Sequence, residues 1–310
     1  MSQHSGRAAL YSDDNEFVLL PDNAAEAGLP WNGDPNVRRE YVDVDGLRLS
    51  ALVWGDDPDV VFVHGGSQNA HTWDTTVLAL GRSALAIDLP GHGRSGWRDD
   101  HDYHPIANAD TIAPVIAALA PNAQLQVGMS LGGLTSIALT ARHAPLVKRL
   151  AIVDVTPGVN TEKSKAISNF VNGPQVFPDF EQLLARTMEH NPTRSESSLR
   201  RGILHNARQL PDGSWQWRYD RTHGRLNDAA QGKDFGFTEL WDDVSRISQP
   251  TMLLYGEVRL GAVVWDDDLV EFRKRMPNAR VEFVEGAGHS LQGDQPVELA
   301  RLLNDFVATT

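Results

Sequence analysis

Short runs of apolar residues recur along the chain and alternate with stretches of helical periodicity. The apolar runs cover residues 59–65, 83–88, 124–130, 149–154, 251–256 and 280–286. Segments with helical spacing lie at 105–120, 131–143, 266–276 and 295–307. Apolar strands that alternate with helices are typical of a mostly parallel sheet covered on both faces. The pattern therefore predicts an α/β fold with helices flanking a central sheet.

Two parts of the chain depart from this alternation. Residues 1–39 are polar and rich in turn formers, which predicts an N-terminal arm lying across a domain. Residues 158–245 are too many for one crossover connection, so we predict an inserted subdomain between two halves of a core. Within it, Thr193 and Glu196 have the spacing of a capping box and predict a helix. The two halves of the core are then residues 40–157 and 246–310.

Composition narrows the class of protein. The chain has 310 residues, 41% hydrophobic and 22% charged, which is enough to bury a sizeable core. A formal net charge of -13 repels phosphate backbones and anionic membranes, so we predict neither nucleic acid nor membrane as a partner. The sequence lacks cysteine, which excludes disulfides and thiolate chemistry. With no signal peptide and no apolar run of membrane-spanning length, we expect a cytoplasmic protein.

The strongest chemical signal is Gly128-Met129-Ser130-Leu131-Gly132, where a predicted strand ends and a predicted helix begins. A G-x-S-x-G elbow needs small residues around the serine because the strand-to-helix turn is tight. The turn lifts the hydroxyl of Ser130 out of the sheet, and the N–H groups of the new helix point toward developing negative charge. We therefore predict Ser130 as a nucleophile.

A serine nucleophile needs a base and a site for the oxyanion. His289 lies in the glycine-rich loop "EGAGHS" after the last predicted strand and is the candidate base. The strand at 59–65 ends in His64-Gly65-Gly66, a flexible backbone at the mouth of the sheet. The N–H groups of Gly66 and Leu131 are the predicted oxyanion donors, and His64 is interpreted as a structural turn residue.

Together these segments resemble the α/β-hydrolase family. The resemblance runs from about Glu40 to the end and is carried, in the family's order, by "HGGSQNAHTW", "DLPGHGRS", "VGMSLGG", "VDVTPG" and "GAGHS". It implies a serine hydrolase acting on a carboxylic ester or related acyl substrate through an acyl-enzyme. A C–C bond hydrolase and a lactonase are alternatives within the family, and a non-catalytic ligand-binding member is the alternative from another class. Members that use an aspartate nucleophile are excluded by the serine at position 130.

The acid that orients the base departs from the pattern common in this family. The acid often follows the strand equivalent to 251–256, but this sequence continues Gly256-Glu257-Val258-Arg259. We favour Asp154, because it ends the strand that follows the helix of Ser130. Glu257 and the cluster Asp266, Asp267 and Asp268 remain alternatives, and a turn-capping role remains the alternative for Asp154 itself.

The insertion resembles the helical cap of this family, which covers the nucleophile. Its aromatic residues predict a mainly apolar pocket, and Trp217 is the candidate substrate contact. These residues are Phe170, Phe177, Trp215, Trp217, Tyr219 and Trp241.

The remaining sequence patterns predict neither a cofactor site nor a metal site. Residues 91–96 fit G-x-G-x-x-G, but a dinucleotide site requires that the glycines open a helix, and a polar stretch follows them. His101 and His104 share a polar loop without the spacing of metal ligands and are interpreted as solvated. The predicted partner is a small-molecule substrate, and the sequence leaves the oligomeric state open.

Overall fold

The computed structural model describes residues 7–221 and 236–310. Its strands, in chain order, are β1 Val37–Val44, β2 Leu47–Trp54, β3 Val60–Val63, β4 Ala84–Ile87, β5 Leu125–Met129, β6 Leu150–Val153, β7 Val176–Phe177, β8 Ala207–Gln209, β9 Trp215–Trp217, β10 Thr251–Tyr255 and β11 Arg280–Phe283. All six apolar runs of the sequence are strands.

Most α-helices of the described residues connect these strands, while one precedes β1 and two follow β11. In chain order they are α1 Leu20–Glu26, α2 Asp74–Leu80, α3 Pro105–Leu119, α4 Leu131–Arg142, α5 Lys165–Val171, α6 Phe180–His190, α7 Glu196–Asn206, α8 Leu240–Arg246, α9 Asp266–Arg275, α10 Leu291–Asp294 and α11 Pro296–Thr309. Short 3-10 helices cover Glu16–Leu19, Ala70–Trp73, Ala144–Leu146 and Val258–Leu260. None of the helices in the described ranges is long and apolar enough to cross a membrane.

The main sheet has eight strands in the order β1-β2-β4-β3-β5-β6-β10-β11. Every pair from β4 to β11 is parallel, whereas β1 and β2 form an antiparallel hairpin that adds to β4. The hairpin turns through Asp45 and Gly46, both with positive φ, as a two-residue turn requires. Because β3, β5 and β6 are adjacent and parallel, their carboxyl ends meet at one edge of the sheet.

Both faces of this sheet are covered, which explains why its central strands are apolar throughout. Helices α3, α4, α8 and α9 supply the core on one face. Helices α1, α2 and α11 supply the core on the other. The fold is therefore the α/β architecture that the alternation of apolar runs and helices predicts.

The N-terminal segment, described from Arg7 onward, contains short helical turns that pack on the core. Strand β1 begins at Val37 rather than at Glu40. Before it, Leu19 and Leu20 are buried, and Leu20 packs in the core with α2 and α11. The polar composition of this segment conceals buried apolar positions, Leu19, Leu20 and Ala24, on two consecutive short helices.

Between β6 and β10, residues 165–219 form a unit with its own small core. Strands β7, β9 and β8 make a three-stranded antiparallel sheet, and α5, α6 and α7 pack with it. Helix α7 begins at Glu196 with Ser195 as its N-cap, so the predicted capping box at Thr193 is wrong, and the Thr193 hydroxyl instead donates to Asp294 at 2.9 Å. Trp241, on α8, belongs to the main core rather than to this unit.

Candidate active site

Ser130 lies at the sharp turn between β5 and α4. Its backbone has φ 52° and ψ -121°, a strained conformation for a residue with a side chain. A Cβ on Gly128 would lie 2.2 Å from the carbonyl oxygen of Gly132, and a Cβ on Gly132 would lie 2.2 Å from that of Val63. The glycines around Ser130 are thus required by close backbone approach, as the elbow pattern predicts.

His289 lies in the loop that follows β11 and contacts a buried carboxylate. Its Nδ1 lies 2.7 Å from Oδ2 of Asp154, whose side chain is fully buried, while the His289 side chain is 14% exposed. The backbone N–H groups of Val263 and Gly256 also donate to this carboxylate, at 3.0 and 3.3 Å. Since a carboxylate oxygen accepts hydrogen bonds, Nδ1 is the ring nitrogen that donates to Asp154, which leaves Nε2 for a hydroxyl partner.

The alternative acids have other partners. Glu257 accepts the N–H of Gly286 at 2.7 Å and pairs with Arg259, so it holds the start of the loop that carries His289. Asp268 accepts the hydroxyl of Thr156 and the ammonium of Lys163, both at 2.8 Å. Among the described acidic residues, Asp154 is the one that contacts His289.

Asp266 and Asp267 open helix α9, where carboxylates stabilise the positive end of the helix dipole. Asp267 is 71% exposed and pairs with Lys163. The acidic cluster therefore begins a helix and anchors the start of the insertion.

The loop after β3 lies against Ser130. A Cβ on Gly65 would be 2.6 Å from Sδ of Met129 and 3.1 Å from Cβ of Ser130, so a side chain here would crowd both residues. The next residue, Gly66, lies beside Leu131, and neither N–H has a hydrogen-bond acceptor within residues 7–221 and 236–310. Two backbone N–H groups without an acceptor in the described residues thus lie near Ser130.

His64 holds this loop from beneath. Its Nε2 accepts the N–H of Leu89 at 3.0 Å, and its Nδ1 donates to the carbonyl of Gly65 at 2.7 Å. Burial lowers the pKa of His64, which favours the neutral ring that these two bonds require. His64 is a structural residue, in keeping with its interpretation from the sequence.

A cavity of about 700 Å³ lies between the carboxyl edge of the sheet and the insertion. Ser130, His289, Gly66 and Leu131 all line it. Apolar side chains form much of the remaining wall. From the core these are Leu134, Val155 and Val263, and from the insertion Val159, Ile167, Phe170 and Val171.

Trp217 does not line this cavity. Its side chain is only 3% exposed and packs edge-on against Phe170 and Phe177 inside the core of the insertion. The alternation along β9 turns Trp217 inward, and Phe170 separates it from the cavity. Phe170 and Phe237 are the aromatic side chains of the insertion that line the cavity within the described residues, and no signal in the sequence distinguishes them from Trp217.

The loop before α3 also lines the cavity, which the sequence does not predict. His101 reaches it while its Nδ1 bonds to the buried carboxylate of Asp220 at 2.6 Å, and Tyr103 donates to the same carboxylate at 2.7 Å. His104 is buried and caps α3. The interpretation as solvated is therefore wrong for His104, whereas the His101 side chain is 39% exposed and contacts the insertion through Asp220.

One cluster of the described residues has the composition of a metal site. Candidate ligand atoms of His71, Asp74 and His205 lie within 4.8 Å of one another. However, both ring nitrogens of His71 face carboxylates, Asp74 at 2.9 Å and Glu16 at 2.9 Å. Both ring nitrogens of His71 therefore have carboxylate partners already, Nη2 of Arg39 also lies 3.2 Å from Nε2, and the ring of His205 stacks on His71 at 3.7 Å. The glycine pattern at 91–96 does not open a helix, because residues 91–104 form turns and irregular backbone. A dinucleotide site of the kind that this pattern marks needs a helix N-terminus for the pyrophosphate.

Comparison with known proteins places this geometry in a family. The family model described as alpha/beta hydrolase family matches residues 60–302. Esterase Rv0045c of Mycobacterium tuberculosis is 44% identical over 306 residues, which are 95% of this chain and 96% of that protein. A solved structure of that esterase, from work on its transition metal inhibition, superposes with a TM-score of 0.81 at 43% identity and covers 96% of this chain and 100% of its own.

Two more distant relatives are named for particular substrates. The 2-(acetamidomethylene)succinate hydrolase of Mesorhizobium japonicum is 26% identical over 269 residues, 86% of this chain and 94% of that protein. The pimeloyl-[acyl-carrier protein] methyl ester esterase of Aeromonas hydrophila is 27% identical over 270 residues, 84% of this chain and 100% of that protein. The chain belongs to the alpha/beta hydrolase family.

Proposed function

We propose that this chain is a serine hydrolase that cleaves a carboxylic ester, or a related acyl substrate, of a small hydrophobic molecule. The observation that carries the proposal is the contact between Asp154 and His289 beside a cavity that Ser130 also lines. The 44% identity to an esterase over nearly the whole chain supports the same reaction class.

In the proposed mechanism, Nε2 of His289 takes the proton of the Ser130 hydroxyl as Oγ attacks the substrate carbonyl. The tetrahedral intermediate collapses when the imidazolium gives this proton to the leaving alkoxide, and the acyl-enzyme remains. Water then attacks the acyl group with His289 again as the base, which releases the acid and restores Ser130. Asp154 keeps the proton on Nδ1 and stabilises the imidazolium during both steps.

The oxyanion of each tetrahedral intermediate is assigned to the N–H groups of Gly66 and Leu131. Both donors lie beside Ser130 and are unpaired within the described residues, so neither has to break a bond before it stabilises the oxyanion. Leu131 is also the first residue of α4, where the helix dipole favours negative charge. Loss of one such donor typically lowers kcat by roughly 10²–10³.

The insertion is assigned as a cap over the nucleophile. Its residues Ile167, Phe170 and Val171 complete the apolar wall of the cavity, which supports a hydrophobic acyl or alcohol group as the substrate. Phe170 replaces Trp217 as the proposed aromatic contact. A cavity of about 700 Å³ has room for a small molecule rather than a polymer.

A panel of p-nitrophenyl esters of graded acyl length tests this function. We expect turnover that increases with acyl length until the cavity is filled, and loss of turnover in Ser130→Ala with an unchanged circular dichroism spectrum. A dienone of the ring-cleavage type, followed by its absorbance, serves as the competing substrate. Turnover of the dienone without any ester turnover, or an active Ser130→Ala, would contradict the proposal.

A further inference from the structure

We propose that Asn206, at the end of helix α7 in the insertion, is a positioning residue for the oxyanion loop, Gly65–Asn69. The inference rests on the proposed function, because it concerns the donor Gly66 in that loop. It assigns to the insertion a role in catalysis that is separate from enclosing the substrate.

Asn206 bridges two points of the oxyanion loop. Its side-chain Nδ2 donates to the carbonyl oxygen of Ser67 at 2.7 Å, and its Oδ1 accepts from Nδ2 of Asn69 at 3.1 Å. Both functional ends of one amide are therefore used on one loop. The backbone of Asn206 is fixed in turn, since its carbonyl accepts the N–H of Arg218 at 2.8 Å.

The loop has a conformation that needs such support. Ser67 has φ 63°, in the left-handed region, which a residue with a side chain adopts at a cost. Gly65 and Gly66 precede it and are the residues least restricted in backbone conformation. Contacts within the loop are few: Gly65 donates to Oε1 of Gln68 at 3.1 Å, and Gln68 donates to the Gly65 carbonyl at 3.3 Å.

The remaining anchors lie on either side of the donor. His64 fixes the carbonyl of Gly65, and Asn69 caps the following 3-10 helix by accepting the N–H of His71 at 2.9 Å. Asn206 restrains the backbone carbonyl of Ser67, the strained residue next to Gly66, and Tyr219 of the insertion adds a hydrogen bond to the Ser67 side chain. When the insertion docks, the Gly66 N–H is held in place, so closure of the cap and completion of the oxyanion site are coupled.

The expected consequence of losing Asn206 follows from the sensitivity of catalysis to position. A displacement of about 1 Å at a catalytic group costs roughly a hundredfold in rate. Partial loosening of one donor should therefore lower kcat about tenfold or more while KM for a small ester changes little, since KM does not depend on the oxyanion contact.

The test compares Asn206→Ala and Asn206→Asp with Asn23→Ala. Asn23, on α1, is the matched control. It is partly buried and accepts a 2.6 Å hydrogen bond from Arg201, which lies on α7 like Asn206. It has no hydrogen bond to the oxyanion loop. Asn206→Asp keeps the acceptor for Asn69 but loses the donor to Ser67. Readouts are kcat, KM, affinity for a trifluoromethyl ketone that forms a tetrahedral adduct, and hydrogen exchange of the peptide spanning residues 61–73.

Both Asn206 variants should lose kcat and ketone affinity in parallel and should exchange faster in this peptide, whereas Asn23→Ala should resemble wild type. Wild-type kcat and exchange in both Asn206 variants, or equal losses in Asn23→Ala, would overturn the inference. If wild type hydrolyses no ester, the proposed function fails, and the exchange measurement still decides whether Asn206 holds the loop.

Discussion

At the scale of single residues, buried charges in this protein have specific partners. Asp154 has φ 45° at the end of β6, and its N–H donates to Leu254 at 2.8 Å, so the backbone turns the carboxylate toward β10 and His289. Three N–H donors then converge on it. A carboxylate that ends a buried strand is tolerated because both of its oxygens accept hydrogen bonds, Oδ1 from Gly256 and Oδ2 from Val263 and His289.

A second buried network ties the N-terminal segment to the core. Glu16 accepts from His71 at 2.9 Å and from Arg39 at 2.7 Å, and His71 also faces Asp74. Burial opposes charge on His71, but the Asp74 and Glu16 carboxylates outweigh it and raise the pKa of His71 above 6.5. Burial likewise opposes charge on Glu16, but hydrogen bonds from His71 and Arg39 lower its pKa from 4.5 to about 2.

This network predicts a pH window of stability. A raised histidine pKa gives stabilisation that is complete below 6.5 and is lost as the pH rises through the folded pKa. A lowered glutamate pKa gives stabilisation that is complete above 4.5 and is lost as the pH falls toward 2. The free energy of unfolding of wild type minus that of His71→Gln should therefore be greatest between pH 4.5 and 6.5 and shrink above it.

Urea unfolding across this pH range measures the difference. His143→Gln is the control, because His143 pairs with the exposed Asp110 at the surface, where such pairs contribute little. A His71 difference that grows steadily from neutral to alkaline pH would contradict the assignment of a buried imidazolium.

At the scale of elements, the turn between β5 and α4 depends on backbone packing. A Cβ on Gly132 would meet the carbonyl oxygen of Val63 at 2.2 Å and that of His64 at 2.5 Å. Val63 ends β3, and His64 directly precedes the oxyanion loop. Neither carbonyl can move without shifting the central sheet. Gly202, in the interior of α7, offers the opposite case, because a Cβ there meets nothing within 4 Å.

The two glycines predict opposite changes in stability. Gly132→Ala should lower the free energy of unfolding by about 3 kcal/mol or prevent folding, since overpacking against backbone typically costs 1–3 kcal/mol or more. Gly202→Ala should raise it by about 0.5–1 kcal/mol, because alanine loses less conformational entropy in a helix. Urea titration of both variants checks the pair, and a Gly132→Ala protein as stable as wild type would show that the turn is not as tight as described.

At the scale of the whole molecule, sequence patterns predicted the main sheet and its helices well. Buried parallel strands leave continuous apolar runs, and the glycines around Ser130 mark where the chain must approach itself. The insertion was harder, because its aromatic residues are spread over a short helix and short strands, and most of them pack on one another inside its own core. The sequence therefore could not distinguish Trp217, which packs inward, from Phe170, which faces the cavity.

Contacts between distant segments were also beyond sequence patterns. Asp154 could be favoured from its place at the end of a strand, but its contact with residue 289 depends on how three loops meet. The bridge from Asn206 to Ser67 spans two separate units of the fold and leaves no local signal. The hydrogen bond between Asp220 and His101 likewise leaves no local signal in the sequence.

The central claim is that Ser130 is a nucleophile activated by His289 and oriented by Asp154. The most direct measurement is the rate of labelling by a fluorophosphonate, followed by intact-protein mass spectrometry and peptide mapping. Wild type should gain one adduct, on Ser130, and Ser130→Ala should gain none. Asp154→Asn should label at least about a hundredfold more slowly, since the equivalent change in a serine triad costs roughly 10⁴ in kcat. Asp267→Asn, at the exposed start of α9, should label at the wild-type rate. No adduct, an adduct on another residue, or wild-type labelling of Asp154→Asn would contradict the claim.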